Sequence, residues 1–131
     1  MPRYPYETRY TPPAPVLPMR VGRPGAVPTV FLSALVDTGA DISVFPQGLP
    51  ARLNLPAVDR VVVSGVDGLP RPLPVYAAEV ALDGYRTVIR AVSLGATPLI
   101  GRDFLNRITV RLRGPAAILE VDLPPAVIRP T

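Results

Sequence analysis

The sequence predicts an all-β domain, and three observations carry that expectation. Nineteen of the 131 residues are proline, too many for a helix-rich fold, because each removes a backbone donor and clashes with the preceding helical turn. Val, Ile, Leu and Thr recur in short runs bounded by Pro and Gly, the pattern of short strands. Asp83-Gly84 stands between two such runs, and that dipeptide accepts the positive φ of a tight hairpin turn. The length fits one compact domain, with an apolar share of 48% that is ordinary for a globular chain.

In chain order, residues 1–14 form a Pro-rich N-terminal arm, extended and either disordered or draped on a partner. Residues 15–123 form the compact domain, and residues 124–131 a Pro-rich C-terminal tail. Val16 to Val21 alternates loosely as a first strand. Val30 to Val36 is apolar but for Ser33 and reads as a buried strand. Ile42 to Phe45 resumes as a strand, and Pro46 to Leu53 leads through a short helical turn. Arg60 to Ser64 is a strand, followed by a turn at Gly65-Val66-Asp67-Gly68. Leu73 to Leu82 runs back, with Pro72 and Pro74 marking a sheet edge. Tyr85 to Leu94 returns from the Asp-Gly turn. Thr97 to Gly101 is a short apolar strand, Arg102 to Arg107 the one short helix, and Ile108 to Leu112 and Ala117 to Val121 the last strands.

Composition removes several kinds of chemistry. The chain has neither cysteine nor histidine, which excludes disulfides and Ser–His or Cys–His catalysis within one chain. No metal site and no cofactor are expected. Acid–base chemistry must come from carboxylates, tyrosines or a shifted amine. A net charge of +4 comes with fourteen scattered arginines and eight aromatics. Without a dense basic run no nucleic-acid partner is expected. No segment has the apolar length to cross a bilayer, and the Pro- and Tyr-rich start is not a signal peptide. The expectation is a cytoplasmic protein with no membrane segment in this chain.

Asp37-Thr38-Gly39 follows the apolar run. Taken alone these are common turn residues, and a surface turn explains them. Their context is more specific. Ala34-Leu35-Val36-Asp37-Thr38-Gly39-Ala40-Asp41 resembles the active-site motif of retropepsins, the single-domain aspartic proteases of retroviruses and their cellular and bacterial relatives. Sixty residues on, Leu99-Ile100-Gly101-Arg102-Asp103-Phe104-Leu105 resembles that family's apolar-apolar-Gly-Arg-Asp/Asn segment, which opens its helix. Between them, Val63 to Leu69 takes the place of the glycine-containing flap.

The resemblance, over roughly residues 30–112, implies a small closed β-barrel with one short C-terminal helix, forming half of a two-fold homodimer. It implies that Asp37 is the catalytic carboxylate, that the Thr38 hydroxyl locks the two active-site loops across the dimer axis, and that the Gly39 carbonyl binds substrate main chain. Ala40 and Asp41 would lie along the substrate, and Gly65, Val66, Asp67 and Gly68 would form the flap tip over it. Asp41 and Arg102 would form an ion pair that buttresses the loop. The implied activity is hydrolysis of an extended peptide by an Asp dyad and an activated water, with no cofactor. The alternative is a catalytically inactive peptide-binding or dimerisation module on the same fold. Asp67 and the prolines at 70, 72 and 74 depart from the retroviral flap, and the termini do not resemble the retroviral dimer strands. Asp83 is read as a turn residue, and Asp103 as a first-turn acid favoured by the helix dipole.

Overall fold

The computed structural model describes residues 1–64 and 67–125. Its elements are β1 (Arg3–Pro5), β2 (Val16–Gly22), β3 (Val30–Val36), β4 (Ser43–Phe45), α1 (Leu49–Leu53), β5 (Ala57–Ser64), β6 (Pro70–Leu82), β7 (Tyr85–Ser93), β8 (Leu99–Ile100), α2 (Arg102–Leu105), β9 (Thr109–Arg113) and β10 (Ile118–Asp122), with a 3₁₀ turn at Gly114–Ala116. The fold is mostly β, as the composition predicts.

Seven strands form one sheet in the order β2-β3-β8-β4-β7-β6-β5, and β6 pairs again with β2 through Val21↔Val80. Six of the seven strands therefore return on themselves, with β5 outside the ring. Period-2 alternation fills the interior. Leu17, Met19 and Val21 of β2 meet Ala78, Val80 and Leu82 of β6 and Ile89 and Ala91 of β7, all buried. Phe104 of α2 is fully buried and lies 6.1 Å, centroid to centroid, from Tyr85. At the β6–β7 turn Asp83 and Gly84 both have positive φ, 46° and 84°, which is what the Asp-Gly pair was expected to supply.

β6 starts at Pro70, earlier than the sequence suggests, and pairs with β5 through three prolines: Ser64↔Pro70, Val62↔Pro72 and Arg60↔Pro74. Their shared parity sends all three prolyl nitrogens to one edge of the strand. β7 pairs only with Tyr76 onward, so the missing donors fall where no partner strand lies.

Two expectations need correction. β3 is not a buried run: Ala34 is its one buried residue, and Phe31 is 57% exposed. Its apolar residues occupy both faces, but a single chain covers mainly one. The N-terminal arm is not disordered but packs on its own chain. β1 pairs with β10 through Tyr4↔Leu119, and the Pro2 carbonyl accepts from Val121 N–H. Tyr4 and Tyr6 pack on the core, so burial of two rings and a row of backbone bonds offset the entropy of ordering the arm. The Tyr4 phenol also donates to Asp83 Oδ2. Burial, and then that carboxylate, push its pKa above the usual tyrosine range. Within this second sheet, β1-β10-β9, buried Glu120 lies between Arg3 and Arg113, each at 3.4 Å.

Candidate active site

β3 and β4 are not neighbours; β8 lies between them, parallel to β3 and antiparallel to β4. The loop from Asp37 to Ile42 must therefore cross the end of β8, and α2 begins at that crossing. Geometry at the crossing explains Gly101. A Cβ there would stand 2.8 Å from the Ala40 carbonyl oxygen and 3.0 Å from the Ile42 carbonyl group, so only glycine lets the two backbones pass.

The crossing is tied on both sides. Asp37 N–H donates to the Ile100 carbonyl at 3.0 Å, and Arg102 N–H to the Ala40 carbonyl at 2.9 Å. Arg102 Nη1 donates to the Thr38 carbonyl at 2.7 Å, a charge-assisted bond. Within the loop, Gly39 N–H donates to Asp37 Oδ1 at 3.0 Å, and Ala40 N–H to the Asp37 carbonyl at 3.3 Å. A Cβ on residue 39 would come within 3.2 Å of Asp37 Oδ1. The small residue thus holds the carboxyl group in place from below. Oδ1 is engaged, while Oδ2 makes no hydrogen bond to another described residue.

The structure thus brings Asp37, Thr38, Gly39, Ala40 and Arg102 together. Asp41 is exposed at the end of the loop, and no ion pair joins it to Arg102. Arg102 still buttresses the loop, but through the Thr38 carbonyl. Thr38 and Gly39 are both exposed, facing outward with no described residue over them. Of the expected flap tip, Gly65 and Val66 lie outside the described residues. Asp67 Oδ1 accepts from Leu69 N–H at 3.1 Å, Oδ2 pairs with Arg71 at 3.1 Å, and Gly68 has φ 74°. These close a tight turn at the end of the β5–β6 hairpin.

Sequence reasoning missed Ser43 and the role of Asp103. Ser43 is completely buried. Its hydroxyl donates to Asp103 Oδ1 at 2.7 Å and accepts from Gly101 N–H at 3.0 Å, which joins β4, β8 and α2 at one point. Asp103 Oδ2 is buried without a hydrogen-bond partner. Burial raises the Asp103 pKa, against the opposing effect of the Ser43 bond. The available signal was a serine sharing the inward parity of Phe45 on a short strand. Among the described residues no cluster of acids suits a metal ion, and no helix is long and apolar enough to cross a membrane.

Against known proteins, the model of the family described as retroviral aspartyl protease matches residues 12–113. Among solved structures the chain is similar to the protease of EIAV complexed with the inhibitor HBY-793. The TM-score is 0.54 and the identity 21%, over 71% of this chain and 86% of that one; at that identity the likeness concerns the fold. No curated protein matches the chain. The family match spans the Asp37 loop, the hairpin, the Gly101 crossing and α2, and on it the chain belongs to the retroviral aspartyl protease family.

Proposed function

We propose that the chain is one half of an aspartic endopeptidase, with Asp37 from each of two copies forming the catalytic dyad. The observation that carries this reading is the Asp37 loop itself. It is pinned from behind by β8 and α2, its carboxyl group is fixed by Gly39 N–H, and the other carboxyl oxygen takes no hydrogen bond from the described residues. A single Asp-Thr-Gly per chain calls for a second copy, and a two-fold axis at the exposed Thr38–Gly39 face supplies it.

In aspartic-protease dyads generally, two carboxyl groups so close hold one proton between them. The ionised partner takes a proton from a water placed between them while the water oxygen bonds to the scissile carbonyl carbon. The protonated partner hydrogen-bonds the carbonyl oxygen. Collapse of the tetrahedral intermediate breaks the C–N bond, with the leaving nitrogen protonated by the dyad. Thr38 would reach across the axis, the Gly39 carbonyl, Ala40 and Asp41 would line the extended substrate, and the 65–68 turn would close over it. β9 supports the second copy. Among the described residues no strand pairs with its outer edge, and Leu112 is 57% exposed although its cross-strand partner Leu119 is fully buried on the same face.

Cleavage of a diverse peptide library, from acidic to neutral pH, tests the reading beside molar mass by light scattering. Asp37→Asn should lower the rate by about a thousandfold or more with unfolding unchanged. Retained cleavage in that variant would eliminate the mechanism. A folded dimer that binds but never cleaves would favour the inactive peptide-binding module.

A further inference from the structure

A cavity of about 430 Å³ opens beside α2, and Asp37 is not among the residues that line it. Its walls are aliphatic: Val58 of β5, Ala77 of β6, and Val88 and Ile89 of β7. Val58 is 47% and Val88 42% exposed, so part of this apolar wall faces water. Arg90, Arg107 and Asp103 complete the lining.

The charges do not cancel. Arg107 donates from Nε to the Asp103 carbonyl at 3.0 Å and from Nη1 to the Thr87 hydroxyl. Both acceptors are neutral, and among the described residues no carboxylate forms an ion pair with this guanidinium. Arg90 meets Asp59 only at 3.5 Å, with both side chains more than half exposed, a contact of little energy. The Asp103 carboxyl is held by Ser43 on one oxygen. Burial favours its neutral form, against the opposing effect of the Ser43 bond.

We propose that this cavity binds a small amphipathic carboxylate, an aliphatic chain ending in a carboxylate group, with the tail on Val58, Val88 and Ile89 and the head on Arg107 and Arg90. A guanidinium N–H makes a charge-assisted bond to a carboxylate, and Arg107 keeps Nη2 for it after its bonds to Asp103 and Thr87; the volume is that of a small-molecule site. An amine-headed ligand of the same shape would meet two cations. The occupant would touch Asp103, and from Asp103 the Ser43 hydroxyl leads to Gly101 N–H and the Asp37 loop. The site stands on its own geometry and does not depend on the protease reading.

The test is a titration of the full chain with octanoate at mildly acidic pH, followed through backbone amide signals, with octylamine and octanol in parallel. Octanoate should shift the Val88–Arg90 and Asp103–Arg107 signals saturably and bind more tightly than either analogue. Arg107→Gln should weaken it about tenfold, the worth of one charge-assisted bond. Val88→Asp, on an exposed position, should weaken it similarly by placing a negative charge at the mouth. No saturable shift, equal binding of octylamine, or unchanged affinity in both variants would overturn the proposal.

Discussion

The Asp37 loop and the β5–β6 hairpin show opposite ways of holding backbone in place. The loop lies over the end of β8; within its six residues it is tied by Ile100 and twice by Arg102, and Ser43 just after it by Gly101. In the hairpin, β5 stands outside the ring, and β6 joins β7 only from Tyr76 onward. Almost every residue of β5 is exposed, Val62 by 68%, and next to the turn Leu69 is 61% exposed. Its added contacts are surface ion pairs such as Asp67–Arg71 and Asp59–Arg90, each worth little. Few buried apolar contacts and many solvated hydrogen bonds mark a segment that opens locally at low free energy. A protease needs both: fixed carboxyl groups, and a cover that admits a peptide.

The largest effect should come from adding bulk at the crossing. Gly101→Val must move either the Ala40 carbonyl or α2, because its Cβ begins 2.8 Å from that oxygen. The expected cost is about 3 kcal/mol in urea unfolding, together with loss of cleavage. A variant of wild-type stability would show that the crossing is softer than its contacts imply and would dissolve the contrast between loop and hairpin.

An intermediate effect, with a sign in pH, should come from Asp103→Asn. Burial raises the folded-state pKa of this carboxyl above its unfolded value. The folded chain therefore holds its proton to higher pH than the unfolded chain. The associated stability is fully present below the unfolded pKa and is lost as pH rises through the folded one. The groups around it are Ser43 of β4, Arg90 of β7, which lines the same cavity, Arg102 at the start of α2, and Arg107 just beyond its end. Asparagine keeps an acceptor for Ser43 and removes the titration. Its urea midpoint should exceed that of wild type toward neutral pH and converge with it in acid. A wild type whose stability did not fall over that range would mean that the arginines already compensate the ionised carboxyl.

Much of this contrast was legible in the sequence. Asp-Thr-Gly after an apolar run, the Gly-Arg-Asp segment and the Asp83-Gly84 turn are local signals, set by the φ each residue permits and the strand each one ends. The braces were not legible. Ser43 meets Asp103 sixty residues away only because β8 inserts between β3 and β4, a crossover that no local period encodes. β1 is three residues long, Arg3–Pro5, too short to show an alternation, and its partner β10 is near the other end of the chain. The exposure of Phe31 escaped because an apolar residue on either face of a strand looks the same in a linear run.

The smallest global effect should come from the hairpin. Asp67→Ala removes the acceptor for Leu69 N–H and the partner of Arg71 at once. Both contacts are exposed, so the free energy of unfolding should change by no more than about 0.5 kcal/mol. Local readouts should move instead. Hydrogen exchange at the Leu69 amide should quicken several-fold, while the amides of Asp37 and Arg102, bonded to Ile100 and Ala40, keep the protection of the whole fold. If the hairpin closes over substrate, KM rises and the unfolding midpoint stays put. A global loss comparable to that of Gly101→Val would mean that the hairpin is structural rather than a cover, because the solvated Asp67 contacts to Leu69 and Arg71 are too weak to carry that much free energy.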